Sequence, residues 1–176
     1  MPLPRAPLRI TLGFAFSYID RAIQEGLADR RFGQSEMAAV LEHFGSDPPR
    51  CAYCGDEHVS RWDHLVAVKS GGDTVVGNMV PACSRCDDSK RDVPYEEWML
   101  SDAQHSPRSR GVPELAERIA RLRAYARRYQ YTPRTKEERL AVADREELVR
   151  LRHELDPIRK RIEQLLARHK GLHQRP

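Results

Sequence analysis

Two cysteine pairs, Cys51-x-x-Cys54 and Cys83-x-x-Cys86, stand 28 residues apart and constrain this chain more than any other feature. A short turn lets both thiolates of one knuckle reach the same ion. Two knuckles therefore fill the four positions of a tetrahedral Zn2+ site and leave none open for catalysis. The expected zinc is structural. The insert is longer than the roughly 15–20 residues usual between knuckles, and it holds a histidine, an asparagine and several aspartates. The clasp is expected to close a loop around a second site. Competing readings are two disulfides, two redox motifs, or His58 as a replacement ligand. The N-terminal stretch does not combine a basic segment, an uninterrupted apolar core and a small-residue cleavage site, so secretion is not expected. A cytoplasmic, reducing setting favours thiolates on metal.

With 176 residues, 40% hydrophobic content and no run of 18 apolar residues, the chain is expected to form one compact domain plus appendages and no membrane span. A pI of about 9.0 points to a polyanionic partner. The distribution of charge says more. Residues 1–50 hold six basic and six acidic residues, 51–100 five and nine, and 101–176 nineteen and eleven. An acidic cysteine module beside a basic C-terminal third suits a metal centre held against nucleic acid, or else a solvated helical surface.

Residues 1–9 carry three prolines and read as an irregular arm. Phe14, Tyr18, Ala22 or Ile23, and Leu27 recur at helical spacing, predicting a helix over 13–30. Ser35 stands as N-cap of a second helix over 36–44, with Met37, Val40, Leu41 and Phe44 as its stripe. Both helices are expected to pack on the module. A strand is expected over 59–68 and another over 74–81, paired as a hairpin across Gly71-Gly72. A helix is expected to open at Asp87 or Asp88. Four segments follow: 1–50, the module at 51–104, a linker at 105–112 and a basic helical extension at 113–176.

Within this frame Asp63-His64, Gly71-Gly72, Asn78 and the run Pro81-Ala82-Cys83-Ser84-Arg85-Cys86-Asp87-Asp88-Ser89-Lys90 resemble the HNH nuclease family. The resemblance covers about 51–100 and implies an α+β, zinc-stapled ββα-metal module and a DNA endonuclease yielding a 5′-phosphate and a 3′-hydroxyl. The family usually has asparagine or histidine where this chain has Asp87, and often proline where it has Ala67. A carboxylate remains a good oxygen ligand for a hard cation.

Phosphodiester hydrolysis needs a deprotonated water and a counter-charge for the developing negative charge. His64, with an unperturbed pKa of about 6.5, suits the general base. Asp63 and Asp87 are expected to hold one Mg2+ or Mn2+, with Asp88 able to exchange roles with Asp87. Asn78 is expected to hydrogen-bond loop backbone and so fix His64. Arg85, Lys90 and Arg91 are candidates for phosphate contact.

Pro94 opens a short helix with Trp98 and Leu100 as packing residues. Pro113 and Glu114 start a helix to about 130, whose Arg121 and Arg128 are candidate DNA contacts. Thr135 and Glu138 form a capping box for a final helix. Its Leu148, Leu151, Leu155, Ile158, Ile162 and Leu165 make a heptad seam, kinked at Pro157. The seam is expected to close either on the 113–130 helix or on a second chain as a homodimer. The rival reading of the whole is a non-catalytic zinc protein that binds nucleic acid or serves assembly.

Overall fold

The structure, a computed structural model, describes residues 12–45 and 47–173. The arm expected at 1–9 lies outside them. In chain order the elements are α1 (Leu12–Leu27), β1 (Arg30–Arg31), α2 (Gln34–Phe44), β2 (Arg61–His64), a one-turn helix (Val68–Ser70), β3 (Thr74–Val75), β4 (Met79–Ala82), α3 (Ser84–Lys90), α4 (Tyr95–Met99), α5 (Leu115–Arg128), α6 (Lys136–Arg139) and α7 (Val142–His173). Two units result, one of residues 24–136 and one drawn from 1–23 with 137–176.

The 24–136 unit is the α+β part. β2 and β4 pair antiparallel with Arg61 opposite Ala82, Asp63 opposite Val80 and His64 opposite Met79. This is the expected pairing, but not a tight hairpin: the first strand stops at His64, and Leu65 to Asn78 form a long loop. Asn78 takes over where the strand stops. Its Oδ1 accepts the Val66 N–H at 2.8 Å and its Nδ2 donates to the Val66 carbonyl at 3.0 Å, so a side chain rather than a neighbouring strand holds the backbone just past the strand's end. Thr74 and Val75 pair instead with Arg30 and Arg31, in parallel.

Helix boundaries shift for local reasons. α2 begins two residues before the expected start, with Gly33 rather than Ser35 at its cap, because the Glu36 carboxylate reaches back to the Gly33 N–H at 2.8 Å. α3 begins at Ser84, ahead of both aspartates expected to open it. In α4 Trp98 is buried as expected, yet Leu100 is exposed and Met99 takes its place in the core. The expected linker is packed rather than free. Ser106 and Pro107 are fully buried, and the Arg108 N–H donates to the Met99 carbonyl at 3.1 Å.

The core of this unit joins Val40 and Phe44 of α2 to Tyr53, Leu65, Val80, Trp98 and Met99, and to Ile119, Leu122 and Tyr125 of α5. The arginine-rich helix thus belongs to the module, and its apolar stripe is used there. A module this small buries too little surface alone, so α2 and α5 supply the missing layer.

In the other unit, Phe16 and Ile19 of α1 and Val149 and Leu155 of α7 line one groove. The final helix is interrupted, α6 ending at Arg139 before α7 begins, but α7 continues through Pro157. Leu151, Ile158, Ile162 and Leu165 of the seam are exposed. No helix among the described residues is long and apolar enough to cross a membrane.

Close backbone approach holds the loop. A Cβ on Gly72 would lie 1.8 Å from the Val66 carbonyl oxygen, whereas one on Gly26 in α1 would meet nothing within 4 Å. Gly72→Ala is predicted to lose about 1–3 kcal/mol or more through forced backbone movement. Gly26→Ala should gain roughly 0.5–1 kcal/mol from helix propensity. Urea unfolding midpoints of the two variants check the contrast.

Candidate metal centre and active site

The four cysteine sulfurs lie within 4.8 Å of one another. Cys54 Sγ and Cys83 Sγ are 3.8 Å apart, and the edge of a tetrahedron with Zn–S bonds of about 2.3 Å is itself about 3.8 Å. Disulfide sulfurs lie about 2.05 Å apart, and all four cysteines here are free. Contacts with Cys51 draw the Cys54 thiol far down and the Cys83 thiol to about 6, while Cys51 itself is pushed up by its contacts with Cys54. The sulfurs share protons that a metal ion replaces on binding. His58 is exposed and pairs with Asp56 at 3.1 Å, away from the cluster. Arg110, which the sequence did not single out, donates from Nη2 to Cys86 Sγ at 2.9 Å and sets a positive charge beside the thiolates.

The clasp is wired into the second site. Tyr53 sits inside the first knuckle, fully buried, and its hydroxyl donates to Asp63 Oδ2 at 2.6 Å. Lys90 Nζ approaches the same oxygen at 3.2 Å and donates to the His64 carbonyl at 2.7 Å. Asp63 Oδ1 accepts the His64 N–H at 2.8 Å. Burial pushes the Asp63 carboxyl up from its ordinary range, Lys90 and the Tyr53 hydroxyl oppose the rise, and Asp87 adds to it. An ionised carboxylate offers about four acceptor positions. Three are taken here, so one remains for a cation.

Lys90 is therefore corrected: the ammonium expected on a DNA phosphate is fully buried in the module. The signal was in the helix phase, since Lys90 lies four residues after buried Cys86 on the same face of α3.

His64 follows Asp63 on β2 and is turned the other way, its Nε2 lying 3.0 Å from Thr74 Oγ1. Thr74 was not anticipated. Asn78 is fully buried and donates to the Asp73 carbonyl at 2.7 Å as well as bonding Val66, so it holds the loop that faces His64. Asp87 and Asp88 both meet Arg61 Nη1, at 2.7 and 2.6 Å. Asp87 is the more buried of the two, and it is the one that acts on Asp63.

Of the remaining candidates, Arg85 and Arg91 are exposed on or just after α3. Arg121 is spent on its own fold, donating to the Phe44 carbonyl at the end of α2 and lying 5.3 Å from the Phe44 ring centre. Arg123 pairs with Glu96. Arg128 is exposed, 5.9 Å from the Tyr129 ring centre.

A strand, a loop and a returning strand lead into a helix, with two cysteine knuckles clasping the ends and an Asp-His pair closing the first strand. That arrangement is the α+β, cysteine-clasped fold expected from the sequence. Residues 51–92 match the HNH endonuclease family. The CRISPR-associated endonuclease Cas9 of Actinomyces naeslundii is 33% identical over 108 residues, which is 58% of this chain and 9% of that protein. The chain thus spans only a small part of that relative's length. No solved structure matches.

Removing Lys90 leaves the Asp63 charge buried without its partner. Lys90→Met is predicted to lose about 3–5 kcal/mol, and Tyr53→Phe about 1–3 kcal/mol. Combining Lys90→Met with Asp63→Asn should recover part of the loss in urea unfolding. Strictly additive losses would show that Lys90 does not act through Asp63.

Proposed function

We propose that this protein is a metal-dependent HNH-type DNA endonuclease that hydrolyses phosphodiester bonds. Zn2+ is held by Cys51, Cys54, Cys83 and Cys86 and serves structure. Mg2+ or Mn2+ is held by Asp63 and Asp87 and serves the reaction. The observation that carries the reading is the Asp63-His64 pair at the end of β2, one carboxylate turned inward and one imidazole turned to the loop, in a segment that matches a nuclease family. The relative's description as an endonuclease supports it.

His64 takes the proton of the attacking water, its ring oriented by Thr74 and its backbone by Lys90 and Asp63. A divalent ion, when bound, stabilises the negative charge that develops on the phosphate and the leaving oxygen. Burial first, and then the neighbouring Asp87 charge, raises the Asp63 carboxyl, and a divalent ion suits such a place; Asp87 fits better than Asp88 because it is the one felt by Asp63. Tyr53 and Lys90 keep the Asp63 carboxylate in place. Exposed Arg85, Arg91 and Arg128 supply sequence-independent contacts to DNA phosphates. The exposed seam of α7 supports pairing with a second copy, since the stripe of α5 is occupied within its own unit.

Supercoiled plasmid incubated with the pure protein is expected to be cleaved with Mg2+ or Mn2+ and left intact with EDTA. His64→Ala should keep its fold and lose cleavage by about 10² to 10⁴, the general-base range, at any metal concentration. Asp63→Asn, which spares Lys90 an empty neighbour, should recover partly at high Mg2+. A His64→Ala protein restored by metal alone would move His64 into the coordination shell. No cleavage by the wild type with either ion, together with tight DNA binding, would favour the non-catalytic reading.

A further inference from the structure

Thr74, the hydrogen-bond partner of His64, is not on the strand pair that carries His64. It lies in the 65–78 loop, and that loop borrows its order from both flanks. On one side the Thr74 N–H donates to the Asp29 carbonyl at 2.9 Å, and the Asp29 N–H donates to the Asp73 carboxylate at 2.7 Å. On the other side residues 125–134 run across the loop as a strap. The Tyr131 hydroxyl accepts the Asp73 N–H at 2.8 Å. The Tyr125 hydroxyl accepts the Gly77 N–H at 2.8 Å and donates to the Met79 carbonyl at 2.8 Å. The Arg134 N–H donates to the Gly71 carbonyl at 3.2 Å.

The approach is close enough to fix residue type. Gly77 has φ +94°, and a Cβ there would lie 2.8 Å from Tyr131 Cβ and 2.9 Å from Tyr129 Cβ. Gly71, at φ +87°, would meet the Arg134 carbonyl oxygen at 2.6 Å. A phenol suits the task because it both donates and accepts, and its rigid ring places the hydroxyl with few torsions to fix. Loop amides with no strand partner on that side would otherwise be buried unpaired, at about 1–3 kcal/mol each.

We infer that Tyr125 and Tyr131 are positioning residues of the nuclease site, which set His64 by holding the loop that carries Thr74. This rests on the assignment of His64 as the base. The strap lies outside residues 51–92, so the working site is larger than the segment that matches the family.

The test uses the full chain with Tyr131→Phe, Tyr125→Phe, Thr74→Val and Thr74→Ser. Steady-state cleavage, amide hydrogen exchange and the 15N spectrum of the His64 ring are measured on each. In Tyr131→Phe the Asp73 amide is expected to exchange faster, in Tyr125→Phe the Gly77 amide, and both variants should shift the His64 ring signals. Misplacement of a reacting group by about 1 Å costs roughly a hundredfold, so kcat should fall by roughly tenfold to a hundredfold with KM for DNA unchanged. Thr74→Val should do the same, and Thr74→Ser, which keeps the hydroxyl, should stay near wild type. Faster exchange with unchanged kcat and unchanged ring signals would overturn the inference, as would equal loss in Thr74→Ser and Thr74→Val. Absence of cleavage in the wild type defeats the nuclease reading alone. The ring signals then decide whether the strap positions His64.

Discussion

Four sulfurs around one centre carry the rest of this structure. Cys51 and Cys54 lie before β2, and Cys83 and Cys86 lie at the start of α3, so one ion held by the four would tie the entry of the first strand to the exit of the second. Every group that surrounds Asp63 hangs from that tie. Tyr53 is inside the first knuckle, while Asp87 and Lys90 are on the helix whose first turn carries Cys86. A buried ammonium-carboxylate pair costs several kcal/mol per ion to desolvate. Structural zinc in small domains contributes roughly 10–16 kcal/mol. With such an ion bound, the metal term would be the larger and would let a short strand pair keep two charges in its interior.

Sequence reading was enough for the cysteine clasp and the bonding of Asn78 to loop backbone, because each is local or follows from ligand number. Burial of Lys90 was not read, because DDSKRD looks like a solvated charge run when helix phase is ignored. The hairpin was read too simply for a related reason. Gly71-Gly72 is a turn signal, but the glycines serve close approaches to Val66 and to Arg134 rather than a two-residue reversal. Thr74 carried no signal at all, since its place beside His64 depends on pairing with β1 more than 40 residues earlier.

The basic helices part company in the structure. α5 places Ile119, Leu122 and Tyr125 in the module core and spends Arg121 on capping α2, so its composition overstates the charge it offers to DNA. α7 keeps an exposed apolar seam in a separate unit. Heptad spacing is common to a helix that pairs within its own domain and one that meets a second chain, so spacing alone does not name the partner. The unit that holds the cysteine clasp accordingly runs from residue 24 to 136, with β1, α2, α5 and the tyrosine strap as integral parts.

The central claim is that one tetrathiolate metal site organises everything else, and X-ray absorption at the zinc edge of the purified protein tests it most directly. The account predicts one zinc per chain with four sulfur neighbours at about 2.3 Å and no nitrogen or oxygen in the first shell. A mixed shell with histidine, or a folded protein with no bound metal, would contradict it.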